Sequence, residues 1–358
     1  MSFMANIVRF LIKICFIPVN YDMIEQKISF RFCSSAFITF FIINYGILLS
    51  SNVLLYSTTA SIQDKITEYM ENLNIIDFIS DIIFGLFTSW LAPCCLVLLA
   101  KGIPKIEVIA LADDLKWPTH GGKHILSLFL CVLGALAPTV ALWVMMFDKG
   151  NVNISTSESV LINLIYFVQY VLYGVCWTIP ILMVSIWMEK LISMSKDKSP
   201  CDEIERAQTC IELYKSFNSG FGSYFLFMFS FTQVSLIFSF FISISRVLGS
   251  NETALVKVII SLGNFLASSG MMVNIACLTF VLEDGYKSVT SLVQQLQDKI
   301  MSDVPNRRLI KNIIKELESI KPLTGNGYFS ISRGTLTSMV SVGITYIIIL
   351  VQFKISAS

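Results

Sequence analysis

The sequence predicts an all-α polytopic membrane protein with seven transmembrane helices. Of its 358 residues, 54% are hydrophobic and only 14% are charged, whereas a soluble domain carries about 25% charged residues. The apolar residues also occur in blocks of about 20, the length that a helix needs to cross the hydrocarbon core of a bilayer. The net charge of +1 provides no field that would attract a nucleic acid. The lipid bilayer is therefore an expected partner, and nucleic acid is not.

Seven apolar blocks give the predicted spans, and polar segments separate them. An N-terminal segment at 1–31 comes first, spans one to six fall within 32–282, and a polar segment at 283–335 precedes the last span. In order, the predicted spans are 32–55, 75–100, 125–147, 158–188, 221–248, 253–282 and 336–353. Polar residues with helical spacing after 203 and after 283 predict that spans five and six continue as helices beyond the membrane.

The segment at 283–335 contains a second predicted helix with one apolar face. The apolar residues that recur at helical spacing are Leu309, Ile313, Leu317 and Ile320. Because such a face has to be buried, we expect this helix to pack with the extensions of spans four to six as an intracellular collar. Another subunit is the expected source of the covering surface.

The distribution of basic residues predicts the orientation in the membrane. Twenty-one of the 26 Lys and Arg residues lie in 1–31 and in the alternate segments 101–123, 189–220 and 283–335. The positive-inside rule places those segments in the cytosol, so seven spans put residues 354–358 outside. The glycosylation sequons at Asn153 and Asn251 both fall on the predicted outer side. This topology is the inverse of that of a G-protein-coupled receptor.

The last span carries a polar stripe. Four polar residues share one helical face, namely Ser338, Ser341, Thr345 and Gln352. Ile348 and Ile349 lie on that face, and Tyr346 and Phe353 form a neighbouring stripe. In hydrocarbon such a stripe needs a partner or water. Two interpretations are open: hydrogen bonding between helices, or the wall of a pore formed by symmetric copies of the chain, with the two isoleucines as a hydrophobic constriction.

Aromatic and amide side chains in the earlier spans are candidates for a small-molecule pocket, although core packing and interfacial belts are the alternative. The candidates are Trp90, Trp143, Tyr166, Gln169, Tyr170, Tyr173, Trp177 and Gln233. The sequence contains no nucleotide-binding loop, catalytic motif or metal-type spacing of Cys and His. We therefore predict no enzymatic activity, no cofactor and no metal.

The end of the last span resembles the signature of a known family. Thr345 and Tyr346, five apolar residues, then Gln352 and Phe353 resemble the C-terminal motif of the insect gustatory receptors, which are relatives of the insect odorant receptors. The lead-in at 328–333 is also similar. The match in span number and orientation extends the resemblance over the whole chain.

The resemblance implies a tastant-gated, non-selective cation channel in the plasma membrane of chemosensory neurons. It implies a tetramer, of identical or mixed subunits, whose seventh span lines a central pore and whose ligand pocket opens to the outside. Ile347 stands where sugar-type members tend to carry an acidic residue, which favours a bitter-type or orphan receptor. The alternatives are a receptor that signals through a cytosolic partner and a membrane carrier.

Overall fold

The computed structural model describes residues 3–14, 16–22, 27–60, 93–149, 156–197, 203–249, 254–300 and 307–357. These residues are almost entirely helical, which confirms the predicted all-α class. The elements are α1 (Phe3–Lys13), the antiparallel strands β1 (Asn20–Asp22) and β2 (Lys27–Ser29), α2 (Ser35–Ala60), α3 (Cys94–Gly102), a 3-10 turn (Ile103–Ile106), α4 (Glu107–Ala110), α5 (Gly121–Lys149), α6 (Thr156–Lys196), α7 (Glu203–Gly249), α8 (Ala254–Ile300), α9 (Arg307–Glu318) and α10 (Arg333–Ala357).

Six of the long helices coincide with predicted spans. Within the described residues, four stretches are long and apolar enough to cross a membrane, and they are Gly174–Lys196, Glu203–Ser245, Ala254–Asp298 and Arg333–Phe353. Helices α2 and α5 cover the predicted spans one and three. Of the predicted second span, α3 contains only the end, because residues 75–92 lie outside the described part of the chain.

Helices α7 and α8 are each 47 residues long. At a rise of 1.5 Å per residue, such a helix measures about 70 Å, whereas the hydrocarbon core is about 30 Å thick. One end of each helix therefore projects well beyond the bilayer. The charged residues of α7 lie mainly near its start and those of α8 mainly near its finish, so we expect these to be the projecting ends. Helix α9 packs against both helices. We call this end of the bundle, with α9, the basic end.

Helix α9 buries its apolar face within its own chain. Ile310, Ile313, Ile314 and Leu317 are buried against α7 and α8, while Leu309 is exposed. The expected face is confirmed at Ile313, Leu317 and Ile320 and was wrong only at Leu309. Helices of the same chain cover it, so no second subunit is needed. The side chain of Lys215 on α7 pairs with Glu316 on the outer side of α9, so the contact combines a buried apolar layer with an exposed ion pair.

The segment between α3 and α5 ties the N-terminus to the basic end. The guanidinium of Arg9 on α1 lies 2.7 Å from a carboxylate oxygen of Asp113 and donates to the carbonyl of Leu111 at 3.2 Å. Next to this contact, Lys190 at the end of α6 donates a hydrogen bond to Asp114 and holds the pKa of that carboxyl below its usual value. Charged contacts thus fix this segment on the surface of the bundle.

A buried polar network joins three of the helices. His124 Nδ1 on α5 lies 2.8 Å from Asn274 Oδ1 on α8, and the Asn274 amide donates to Thr178 Oγ1 on α6 at 3.3 Å. All three side chains are buried. Because a polar group in such a place is costly when it lacks a partner, Asn274 fixes the relative positions of α5, α6 and α8.

We expect Asn274→Ala to destabilise the fold by about 1–3 kcal/mol, because it leaves two buried groups without a partner. Thermal unfolding of the detergent-solubilised protein measures the change. The matched control is Asn312→Ala on α9, where the side chain is exposed and the expected change is within about 0.5 kcal/mol. Equal melting temperatures for the two variants would contradict the role of the network.

Candidate functional site

Helix α10 is the least covered of the candidate spans. In the apolar 18-residue stretch of α10, only 6% is buried inside the protein, whereas 56–67% is buried in the corresponding stretches of α6, α7 and α8. The residues that face its own chain follow one helical stripe, namely Leu336, Met339, Gly343, Ile347 and Leu350, which are buried or half-buried. This packed stripe lies against α7, with a smaller contact to α8. The rest of α10 is an uncovered surface.

The polar stripe predicted from the sequence lies on this uncovered surface. Gln352 follows Gly343 by nine residues, which is about two and a half turns at 100° per residue, so the two face opposite directions. All eight residues predicted for the pore are exposed: Ser338, Ser341, Thr345, Tyr346, Ile348, Ile349, Gln352 and Phe353. The helical register therefore brings the whole predicted set to the side of α10 that its own chain leaves open.

The hydroxyl groups of the stripe are satisfied within α10. Ser338 Oγ donates to the carbonyl of Gly334 and Thr345 Oγ1 to that of Ser341, both at 3.0 Å. Within the described part of the chain, no side-chain hydrogen bond joins the four polar residues of the stripe to another helix. Among the described residues the stripe therefore forms no hydrogen-bonding seam within the subunit. Both interpretations, hydrogen bonding between helices and a pore wall, stay predictions.

Gln233, a candidate for the ligand pocket, lies on α7 beneath α10. A Cβ placed at Gly343 would be 3.2 Å from Gln233 Nε2, so the amide packs against the backbone of the packed stripe. Both Gln233 Oε1 and Nε2 are buried and have no hydrogen-bond partner among the described residues. A side chain at position 343 would therefore press on this amide and move it by a few tenths of an ångström.

The other pocket candidates are described only in part. Trp177 is fully buried, and the centre of its ring lies 4.9 Å from that of Phe231, which is core packing. Trp90 and the sequons at Asn153 and Asn251 lie outside the described residues. Five further candidates lie in described helices, but their side chains are outside the described part: Trp143, Tyr166, Gln169, Tyr170 and Tyr173.

A contact at the start of α10 was not predicted. Glu283 and Asp284 on α8 meet Arg333, the first residue of α10, and the backbone N–H of Arg333 donates to Glu283 Oε2 at 3.1 Å. The sequence does contain a signal, because an acidic pair follows the sixth apolar block and a single arginine precedes the seventh. Fifty residues separate the partners, so sequence spacing alone does not join them.

A polar cleft of about 620 Å³ opens at the basic end, between α6, α8 and the segment before α5. Its wall includes Lys196, Asp284 and Lys287. Glu189 lies at its edge and accepts hydrogen bonds from the backbone N–H of Thr119 at 2.9 and 2.8 Å. Among the described residues, no group of three or more His, Cys, Asp or Glu side chains could hold a metal ion.

The sequence and the fold both match known chemosensory receptors. The family model described as 7tm chemosensory receptor matches residues 7–357. The fold is similar to that of the olfactory receptor OR5 of the insect Machilis hrabei in complex with eugenol, with a TM-score of 0.62 at 13% identity and 98% of each chain covered. A second structure of that receptor gives a TM-score of 0.60 at the same identity and coverage. No curated protein matches the sequence.

These matches confirm the polytopic helical fold, and they place the chain among receptors rather than enzymes. The family match covers almost the whole length of the sequence, including the pore candidates of α10. The chain therefore belongs to the 7tm chemosensory receptor family.

Proposed function

We propose that the protein is a tastant-gated cation channel of the insect gustatory type, in which α10 lines the pore at the centre of a tetramer. The observation that carries this proposal is the position of the polar stripe on the uncovered face of α10, opposite its packed stripe. Family membership and the C-terminal motif from Thr345 to Phe353 support the gustatory assignment.

Lipid alone is a poor partner for that face. Lipid can cover exposed isoleucine and valine, but Gln352 and the hydroxyl-bearing residues would lose hydration in hydrocarbon. Symmetric copies of the chain around an axis would instead turn the stripe toward a shared water-filled channel. Residues 334–353 contain no charged side chain, so hydroxyl and amide groups would form the polar part of the wall. Ile348 and Ile349 would close it as a hydrophobic constriction.

The proposed orientation puts the basic end in the cytosol and the end of α10 outside. The excess of Lys and Arg in the predicted cytosolic segments supports this orientation, as do the two sequons in the predicted outer loops. The proposed location is the plasma membrane. The ligand is a small-molecule tastant, since a receptor of similar fold was solved with eugenol. Ile347, in place of an acidic residue, favours a bitter-type or orphan receptor over a sugar-type one.

The proposal is tested by expression of the chain in a heterologous cell and by current recording during application of a tastant panel. We expect unitary current steps in excised patches without any added cytosolic factor. Currents that require a cytosolic component would favour a receptor that signals through a partner. Tastant-dependent flux without a unitary step would favour a carrier.

Gln352→Ala is expected to change permeation in this channel. Because the substitution removes an amide from the wall, the permeability ratios among alkali cations should change, while the tastant concentration for half-maximal current shifts less than about threefold. Reversal potentials in mixed-cation solutions measure the ratios. Gln294→Ala is the matched control, since Gln294 is an exposed glutamine on α8. Unchanged ratios in Gln352→Ala would contradict a position on the pore wall.

A further inference from the structure

We propose that Glu283 and Arg333 form a base clamp that transmits movement of α8 to α10 and so couples tastant binding to pore opening. The inference rests on the proposed channel function. Both residues are positioning residues, because neither lies on the polar stripe or needs to touch the tastant. The base clamp consists of Glu283, Asp284 and Lys287 on α8 together with Arg333 on α10.

Five contacts converge at the base clamp. Glu283 Oε2 accepts from the backbone N–H of Arg333 at 3.1 Å and lies 3.5 Å from Arg333 Nε. The other oxygen, Oε1, accepts from Lys287 Nζ at 2.7 Å. Arg333 Nη2 lies 3.9 Å from Asp284 Oδ1, and its guanidinium carbon lies 5.1 Å from the centre of the Phe280 ring. Both carboxylate oxygens of Glu283 therefore have partners. Oε2 contacts two nitrogen atoms of Arg333 on α10, and Oε1 contacts Lys287 on α8.

An exposed ion pair alone would contribute little. The Arg333 side chain is 60% exposed, and such pairs are typically worth less than about 1 kcal/mol because water screens them. Glu283 is only 18% exposed, and its carboxylate binds a backbone N–H in the first turn of α10. That turn has N–H groups without intrahelical acceptors and carries the positive end of the helix dipole. Glu283 thus acts as an N-terminal cap that another helix supplies.

The chain leading into α10 is fixed to a different helix. Asn218 Oδ1 on α7 accepts from the backbone N–H and the hydroxyl of Thr324, at 3.0 and 3.2 Å. Ile331 is buried, and its N–H donates to the carbonyl of Leu323 at 2.8 Å. The segment before Arg333 is therefore held by α7, while the base clamp is held by α8.

The start of α10 is therefore attached at two points, to α8 through the base clamp and to α7 through the segment before Arg333. Beyond its first turns, the contacts of α10 with the described part of its own chain follow the packed stripe, and most of its surface is uncovered. Helix α8, in contrast, packs against α5, α6, α7 and α9. A displacement of α8 relative to α7 would shift one anchor of α10 and leave the other in place. The resulting tilt would move Ile348 and Ile349, which lie four turns farther along the helix.

Single substitutions at Glu283 separate its two contributions. Glu283→Ala removes both the cap and the ion pair, whereas Glu283→Gln keeps an oxygen for the Arg333 N–H and loses the charge. We expect Glu283→Ala to lower the maximal open probability at saturating tastant by about fivefold or more, the lower end of usual coupling between sites. Glu283→Gln should show a smaller loss. Unitary conductance and ion selectivity should stay unchanged, because the pore wall is intact.

The matched control is Glu316→Ala. Glu316, which is 46% exposed, pairs with Lys215 between α7 and α9, and this ion pair involves no residue of α10. We expect less than about a twofold change in open probability, since an isolated surface pair contributes little. Surface biotinylation corrects all values for the number of channels. A Glu283→Ala channel with the open probability of the wild type, or with a loss no larger than that of Glu316→Ala, would overturn the proposal.

Hydrogen exchange on the purified protein provides a readout that needs no current. In Glu283→Ala, the amides at 333–337 should exchange faster, while those of α9 should not change. Unchanged exchange at 333–337 would overturn the base clamp itself. A wild-type chain that shows no tastant-evoked current would instead count against the proposed function, and the exchange result would still decide whether Glu283 holds the first turn of α10.

Discussion

Replacement of both Ile348 and Ile349 by serine is expected to open the channel in the absence of tastant. The two side chains are exposed on the same side of α10 as Thr345 and Gln352. In a symmetric assembly they would form an apolar ring, which blocks ions because water leaves a narrow hydrophobic constriction. Serine is smaller and carries a hydroxyl, so it both widens and wets this ring.

We expect the basal current per surface channel to rise by about tenfold or more, which corresponds to a shift of about 1.4 kcal/mol between closed and conducting states. Whole-cell currents without tastant measure the effect, and a pore blocker or replacement of all permeant cations identifies the conductance as that of the channel.

The control for this double variant is Val340→Ser with Ile344→Ser. Both residues are also exposed on α10, but helical spacing places them beside the polar stripe rather than on it. We expect lipid or another helix to cover them. The control introduces the same two hydroxyls into the same helix. Basal current that rises equally in both double variants would place the constriction elsewhere, and no rise in either would argue against a hydrophobic gate on α10.

Features that depend on one helix could be predicted from the sequence. The polar stripe from Ser338 to Gln352 follows from the helical period alone, and the structure places it as that period requires. The start of α7 at Glu203 follows from the same local rules, because acidic residues favour the first turn of a helix. Such features need no knowledge of which helices are neighbours.

Features that depend on two helices could not be predicted in this way. The apolar face of α9 was predicted correctly at Ile313, Leu317 and Ile320 but not at its first residue. Leu309 and Ile310 are equally apolar, and the direction from which α7 and α8 approach decides which of them is buried. The contact of the Gln233 amide with position 343 was not predicted, because it joins α7 to a helix more than 100 residues later. The contact between Glu283 and Arg333 was not predicted for the same reason, because it joins two helices.

The close contact between α5 and α8 also depends on two helices, and it makes the stability of the fold sensitive to substitution at Gly263. Ser127 Oγ on α5 donates to the carbonyl of Gly270 on α8 at 2.6 Å, which requires the two backbones to lie near each other. A Cβ at Gly263 would overlap with the Cβ of Ala137 and lie 2.9 Å from the carbonyl oxygen of Gly134. Both Gly134 and Gly263 therefore allow the approach of the two helices.

Gly263→Ala is expected to destabilise the fold by about 3 kcal/mol, the upper end of the usual cost of overpacking, because two backbones rather than one flexible side chain have to move. The effect is opposite in sign to the helix propensity, which favours alanine over glycine by about 1 kcal/mol. We expect most of the expressed protein to aggregate in size-exclusion chromatography and the remaining monodisperse fraction to melt at a lower temperature.

The same substitution elsewhere provides the control, and a second substitution tests the cause. No atom of the described residues lies within 4 Å of a Cβ placed at Gly46 on α2, so Gly46→Ala should be neutral or stabilise the fold by up to about 1 kcal/mol. Ala137→Gly combined with Gly263→Ala removes one of the two overlapping groups and should recover part of the lost stability, although the Gly134 carbonyl still restricts the site. A double variant that is less stable than Gly263→Ala by the full cost of Ala137→Gly would show that the two positions are independent. In that case the close approach of α5 and α8 would not be the reason that glycine is required at position 263.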